Sequence, residues 1–137
     1  MIIAFIGNNG TGKTTIAEEV EKLWLGKMET NAVEAREENI FELIEKENKR
    51  NKTKLLCLGC ANGNFALVPS KEVGGEVDIY GIDISIKSLK EAKDKELNTI
   101  LYDLNKKFLL KTNSFDVIVS DQVIEHLTNV ENFIKSI

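Results

Sequence analysis

Five short, largely apolar segments limit what this chain can fold into, because each is followed directly by a glycine or an aspartate. The segments are residues 1–6, 54–58, 76–82, 98–102 and 115–120, and they are followed by Gly7, Gly59, Asp83, Asp103 and Asp121. Apolar runs of this length that stop at a turn residue are typical of strands in a parallel sheet. Segments with helical periodicity lie between them. Strands that alternate with helices predict an α/β fold with a mainly parallel sheet of five strands.

The helical segments also suggest how the chain is divided. Ile16, Val20, Leu23 and Trp24 share one helical face, and residues 33–49 form a second amphipathic helix. Between these two helices the pattern breaks at residues 25–31, around a glycine. We therefore expect two segments, residues 1–30 and residues 31–137.

Three further helices are predicted in the second segment. Residues 64–72 form one of them, although Pro69 lies in its middle. Ser85 is a candidate N-cap for the next, and Thr128 with Glu131 has the spacing of a capping box before the last.

Composition excludes several classes of protein. The chain has 137 residues and a net charge of −4, with lysine and arginine scattered among acids, so no general binding of nucleic acid is expected. No apolar run approaches the roughly 20 residues that cross a bilayer, and the first residues lack the basic flank of a signal peptide. A cytoplasmic protein that acts without membrane or nucleic acid is the expectation. The sequence does not indicate an oligomeric state.

The turn after residues 54–58 has the features of a ligand-binding turn. Gly59 and Gly63 lie four residues apart, where a Rossmann-like fold needs small residues so that a ligand can approach the backbone. Asp83 ends the next strand roughly 20 residues later, where a carboxylate can accept hydrogen bonds from ribose hydroxyls. Two glycines alone are weak support for a ligand-binding turn. The alternative is that the chain is any Rossmann-like domain, in which Asp83 merely ends a strand.

The order of the four later strand ends resembles the class I S-adenosylmethionine-dependent methyltransferases. Their glycine motif typically reads LDLGCGxG, where this chain has residues 56–63, and the segment after their fourth strand is similar to residues 122–127. The resemblance implies a Rossmann-like three-layer sandwich, truncated after the fourth methyltransferase strand, and S-adenosylmethionine as cofactor. The cofactor-binding residues that it implies are Gly59, Cys60, Ala61, Gly63, Asp83, Ile84, Asp103, Leu104 and Asp121.

The resemblance also implies a reaction and its participants. The expected activity is methyl transfer to a small molecule by in-line displacement, in which the protein mainly positions two reactants. His126 is the catalytic candidate, because in the family its segment faces the methyl donor; the alternative is a histidine that orders the loop. Two residues depart from the family motif: Cys57 replaces an acid that helps to hold the methionine end, and Ala61 replaces a glycine.

A second motif lies in the first segment. Gly7-Asn8-Asn9-Gly10-Thr11-Gly12-Lys13-Thr14, followed by Thr15, fits the P-loop pattern between an apolar strand and a helix. In such a loop backbone N–H groups wrap phosphates, the lysine reaches the terminal phosphates and Thr14 can ligate Mg²⁺. The motif resembles the start of nucleotide kinases and implies ATP with Mg²⁺. A P-loop nucleotide-binding protein is therefore the rival function, and a non-catalytic fragment is a third.

Two remaining features lead to further expectations. Cys57 and Cys60 have the spacing of a redox pair, but Cys57 lies within a strand, so we expect two buried or turn cysteines instead. An apolar strand such as residues 115–120 needs a partner on each edge, since unpaired edges promote aggregation. We expect residues 2–6 to dock in parallel beside it, which would place Gly7 at the same edge of the sheet as Gly59 and Asp83.

Overall fold

The computed structural model describes residues 2–6, 31–34, 40–47, 52–108, 110–111, 114–121 and 123–137. Its elements lie in the order β1 (Ile2–Ile6), β2 (Asn31–Glu34), α1 (Ile40–Glu47), β3 (Lys52–Leu58), α2 (Asn64–Glu72), β4 (Glu76–Asp83), α3 (Ile86–Asp94), β5 (Asn98–Leu101), β6 (Val117–Asp121), a single 3₁₀ turn (Ile124–His126) and α4 (Val130–Ser136). Strands and helices alternate through most of this order. The α/β fold class is therefore confirmed.

The strands form one sheet in the order β2-β1-β6-β3-β4-β5, and every described pair is parallel. The chain leaves β3 toward β4 on one side and later crosses back to β6 on the other. Strand order therefore reverses between β3 and β6. In open α/β sheets ligands bind outside the carboxyl ends of the strands at such a point.

The N-terminal strand docks where the sequence led us to expect it. β1 pairs in parallel with β6, and the register sets Ile2 opposite Val117 and Ile6 opposite Asp121. The prediction that β1 occupies the free edge of β6 is confirmed. Gly7 follows β1 directly, but the P-loop residues 7–15 and the helix predicted after them lie outside the described residues.

A sixth strand was not expected. Asn31–Glu34 pairs with β1 in parallel, so the predicted count of five strands is wrong, as is the start of the predicted helix at Val33. The described part of that helix is Ile40–Glu47. Val33 is compatible with either state, and the free edge of β1 provides the hydrogen-bonding partners that favour a strand there.

Alternating side chains of the central strands build a core on each face of the sheet. Leu55, Cys57, Val117 and Val119 pack on one face with residues of α1, α2 and α3. Their neighbours in sequence pack on the other face with α4 and the 3₁₀ turn; they include Leu56, Leu58 and Ile118. Because strand side chains alternate between faces, helices on both sides cover the sheet and make the predicted three layers.

The helix caps agree with the sequence at one position and differ at another. Ser85 caps α3, and its hydroxyl oxygen accepts a hydrogen bond from the Ser88 N–H at 3.3 Å. The cap of α4 is Asn129, whose side chain accepts from the Asn132 N–H at 2.9 Å. The capping box predicted from Thr128 and Glu131 is therefore wrong, because Thr128 is bonded to another loop. None of the described helices is long and apolar enough to cross a bilayer.

We expect the pairing of β1 to be necessary for stability. In the variant Ala4→Pro, the strand loses a backbone N–H in a position flanked by β2 and β6, and proline in a central strand is strongly disfavoured. Ala4→Pro should lower the free energy of unfolding by about 3 kcal/mol or more in urea denaturation followed by circular dichroism. The matched control Ala4→Gly keeps the N–H and should cost only about 1 kcal/mol. Equal stability of the two variants would contradict the pairing.

Candidate functional site

A cavity of about 290 Å³ lies at the carboxyl ends of the strands, beside the reversal of strand order. Residues that end or follow β3, β4, β5 and β6 contribute to its walls. They are Gly59, Asp83, Ile84, Tyr102, Asp103, Leu104, Asn105, Val123, His126 and Leu127. A volume near 300 Å³ is at the lower end of the range for small-molecule sites.

Most of the cofactor residues named from the sequence lie at this cavity. Gly59, Asp83, Ile84, Asp103 and Leu104 line it, as does the catalytic candidate His126. Cys60, Ala61 and Gly63 belong to the adjoining turn but do not line the cavity. Asp121 ends β6 at the same edge of the sheet. Gly7 to Thr15, including the proposed Mg²⁺ ligand Thr14, lie outside the described residues.

The turn after β3 (Gly59–Gly63, the glycine turn) depends on left-handed backbone conformations. Gly59 has φ 72° and Gly63 has φ 81°, which glycine adopts without steric cost. The N–H groups of Gly59 and Cys60 both donate to the Ile82 carbonyl, at 2.8 and 3.0 Å. These bonds attach the turn to the end of β4.

The Asp83 carboxylate fixes the turn from the side of the cavity. One oxygen accepts the Ala61 N–H at 2.9 Å, and the other accepts the Ser85 N–H at 2.8 Å. A single side chain thus joins the glycine turn to the loop that begins α3. Each carboxylate oxygen can accept a further hydrogen bond, so Asp83 can also receive donors from a ligand.

Two glycines allow the turn to pack closely on its neighbours. A methyl group on Gly81 would lie 2.5 Å from the Cys60 sulfur, and one on Gly63 would lie 2.6 Å from a Leu97 methyl. Both distances are shorter than van der Waals contact. Sequence reasoning missed the role of Gly81, although a glycine inside a strand is a signal of close approach.

The two cysteines of the glycine region are both buried. Cys57 is 1% exposed and Cys60 is 3% exposed, and the two do not form a disulfide. Burial, with a smaller contribution from the charge of Asp83, raises the pKa of Cys60 to about 11. A thiol with such a pKa is protonated at neutral pH and a poor nucleophile, so the structure confirms buried cysteines and disfavours a redox pair.

The wall after β5 is ordered by its own hydrogen bonds. The Tyr102 hydroxyl donates to the Lys107 carbonyl at 2.8 Å, and the Tyr102 ring packs edge-on against Phe108. Asn105 accepts both the N–H and the hydroxyl of Thr128, at 2.7 and 2.9 Å. This pair joins the wall after β5 to the wall after β6. Nothing in the sequence pattern identified it, because the two residues lie 23 positions apart.

His126 lies at the rim of the cavity. It ends the 3₁₀ turn, its N–H donates to the Val123 carbonyl at 2.9 Å, and its side chain is exposed. An exposed imidazole at the edge of a cavity can accept a proton from a bound molecule.

The lining suits a flat apolar group that carries polar substituents. Ile84 is 68% exposed and, together with Leu104, Val123 and Leu127, gives the cavity apolar surface. Asp83 and Asp103 add carboxylate acceptors for hydroxyl or amino groups. No group of three metal-ligating side chains occurs among the residues that the structure describes. Apolar surface beside carboxylate acceptors, as in this lining, suits an organic ligand.

Comparison with known families identifies the domain. A family model described as "Methyltransferase domain" matches residues 48–137, which is more than half of the chain. The chain belongs to the methyltransferase domain family. Its cavity lies wholly within the matched residues.

Solved structures share the fold of this methyltransferase domain. A Mesorhizobium loti S-adenosylmethionine-dependent methyltransferase has a TM-score of 0.54 at 24% identity, over 61% of this chain and 39% of that one. The magnesium protoporphyrin IX methyltransferase of Synechocystis PCC 6803, solved with bound S-adenosylmethionine, has a TM-score of 0.54 at 16% identity, over 95% and 58%. Identities this low establish a common fold only.

A curated relative matches part of the methyltransferase domain. A carboxy-S-adenosyl-L-methionine synthase of Helicobacter pylori (strain HPAG1) is 33% identical over 60 residues, which is 42% of this chain and 25% of the synthase. The chain thus spans about a quarter of the length of this curated relative.

Ala61 is strained in this methyltransferase domain. Its φ is 45°, a left-handed conformation in which the side chain of an L-residue is crowded, and the residue is exposed. The methyl group at this position therefore has a conformational cost and no packing benefit.

We expect Ala61→Gly to raise the free energy of unfolding by about 0.5–1 kcal/mol, since relief of strain exceeds the added entropy of the unfolded chain. Urea denaturation measures this change. Glu96→Gly is the matched control, because Glu96 is also left-handed, with φ 68°, and does not line the cavity. Both variants should be stabilised. A destabilised Ala61→Gly would show that the turn does not have the described conformation.

Proposed function

We propose that the cavity binds S-adenosylmethionine and that the chain contributes to methyl transfer to a small molecule. The observation that carries the proposal is the meeting of Asp83, Asp103 and the exposed Ile84 in one cavity at the reversal of strand order. Membership of the methyltransferase domain family and the ligands named for the structural neighbours support it.

The described residues fit the nucleoside half of the cofactor. Asp83 has unused acceptor capacity for ribose hydroxyls, and Ile84 offers apolar surface to the adenine ring. Asp103 can accept from the adenine amino group, and the Leu104 N–H can donate to the ring. The fit is poorer at the amino-acid half. Cys57 replaces the acid that helps to hold this half in the family, and Cys57 is buried and does not line the cavity. We therefore expect weak binding.

The chemistry of the proposed reaction demands little of the protein beyond positioning. When bound, S-adenosylmethionine supplies a methyl group on a positively charged sulfur. The walls after β5 and β6, joined by Asn105 and Thr128, hold the cavity in shape. His126, exposed at the rim, is the residue that we propose to accept a proton from the methyl acceptor.

Asp83→Ala tests the ribose assignment. Loss of the carboxylate should weaken binding of S-adenosylhomocysteine, measured by calorimetry, by about 1–3 kcal/mol. Asp83 also holds the glycine turn, so weaker binding alone does not prove contact with the ligand. The decisive measurement is the affinity ratio between S-adenosylhomocysteine and an analogue that lacks both ribose hydroxyls. The ratio should favour the hydroxylated ligand in the wild type and approach one in Asp83→Ala.

Asp78→Ala is the matched control, because Asp78 lies on the same strand away from the cavity and pairs with Lys52 at 3.3 Å. It should leave the affinity ratio unchanged. A ratio that persists in Asp83→Ala would disprove the ribose assignment even if overall affinity fell.

A second candidate function, binding of ATP with Mg²⁺ at the P-loop, is favoured by the register of the sheet. Ile6, which directly precedes Gly7, lies opposite Asp121 at the end of β6. A P-loop nucleotide site needs a metal-holding acid at the end of a neighbouring strand, and Asp121 has that position in the backbone. The register thus supports this function only through the placement of the two strands.

Lys13→Ala tests the second function. Without the ammonium group that would reach the terminal phosphates, the dissociation constant of Mg·ATP should rise roughly tenfold or more in calorimetry. Asp121→Asn should weaken binding of Mg·ATP but not of metal-free ATP. Identical titrations of the wild type and Lys13→Ala would exclude the P-loop as a nucleotide site, and S-adenosylhomocysteine titrated in parallel keeps the two functions separate.

A further inference from the structure

We infer that Lys95 is a positioning residue that holds the glycine turn in the conformation required for ligand binding. The inference rests on the proposed cofactor site. Lys95 caps the C-terminus of α3 and does not line the cavity, so it would act through the turn and not on the ligand.

The glycine turn needs external support because its backbone is unusual. Three of its five residues, Gly59, Ala61 and Gly63, have positive φ values of 72°, 45° and 81°. Glycine adopts such values readily, but the strained conformation of Ala61 between them persists only when surrounding contacts fix it. The one hydrogen bond between backbone groups inside the turn among the described residues runs from the Gly63 N–H to the Cys60 carbonyl, at 2.8 Å.

On the cavity side, support comes from β4. The Ile82 carbonyl accepts two N–H groups of the turn, and Asp83 accepts that of Ala61 at 2.9 Å. These contacts fix the first three residues of the turn. Gly63 is held by its own N–H, which donates to the Cys60 carbonyl, and by its carbonyl, which accepts the Leu67 N–H at 3.0 Å. None of these contacts reaches the carbonyl of Asn62.

Lys95, at the C-terminus of α3, holds Asn62 and the residue that begins α2. Its ammonium group donates to the Asn62 carbonyl at 2.9 Å and to the Asn64 side-chain oxygen at 2.7 Å. Both are short, charge-assisted hydrogen bonds that reach more than 30 positions along the chain. Asn62 in turn accepts the Asn64 N–H at 3.3 Å, so the three residues form one connected group.

Stabilisation of α2 does not explain the hydrogen bonds of Lys95 to Asn62 and Asn64. Asn64 is the first residue of that helix, whose first turn has no acid and no side-chain cap. A cation at a helix N-terminus opposes the helix dipole. The bonds of Lys95 therefore favour the shape of the turn at some electrostatic cost to the helix that follows it.

The test compares Lys95→Met with Lys93→Met and Lys95→Arg. Lys93 is an exposed lysine in the last turn of the same helix, so Lys93→Met controls for loss of charge. Two quantities are measured: amide hydrogen exchange of Ala61 and Gly63 in the ligand-free protein, and the dissociation constant of S-adenosylhomocysteine. In Lys95→Met, exchange should accelerate roughly tenfold and the dissociation constant should rise roughly tenfold. Lys93→Met should match the wild type, and Lys95→Arg, which keeps several donors, should stay within about threefold of it.

The outcomes separate this inference from the proposed function. Unchanged exchange in Lys95→Met would overturn the inference, and so would faster exchange with unchanged affinity, because the contact would then be structural only. If the wild type does not bind S-adenosylhomocysteine, the proposed cofactor is wrong, together with the ligand-positioning role that rests on it. Exchange, measured without ligand, would still show whether Lys95 holds the turn.

Discussion

The parallel pairing of β6 on both of its edges is the constraint on which the rest of the structure depends. Val117 and Val119 face one core and Ile118 the other, so this strand is buried on both faces. Its start is locked to β3, because Asp116 accepts the Lys54 N–H at 2.8 Å and donates its own N–H to the Lys54 carbonyl at 2.9 Å. With β3 and β1 bonded to its two edges, the carboxyl ends of three strands are level, and the cavity forms beside them.

Within that frame, close backbone packing determines the shape of the site. Gly81 and Gly63 let the glycine turn approach β4 and Leu97 more closely than a methyl group would allow. Asp83 then joins the turn to the start of α3, and the same carboxylate lines the cavity. A substitution at Asp83 thus removes support from the glycine turn and also removes the proposed acceptor for the ligand. Only a measurement specific to the ligand separates these two effects.

Much of the site was predictable because strand ends are local signals. Asp83 and Asp103 each follow an apolar segment, and parallel strands bring such ends to one edge of the sheet. His126 was named through the family resemblance instead. The docking of β1 beside β6 was also predictable, since an apolar strand needs a partner on each edge. The bond between Asn105 and Thr128 and the contacts of Lys95 were not, because no periodicity relates residues that far apart.

The sequence by itself determined the alternation of strands and helices, the α/β class and the acids at the strand ends, because each depends on neighbouring residues. Only the tertiary structure decided the state of Val33, the cap of α4 and the partners of the glycine turn. Val33 lies in a strand because β1 offers it an edge, and Thr128 is not a cap because Asn105 accepts its donors. In each case the local preference was weak, and a hydrogen-bonding partner distant in sequence determined the outcome.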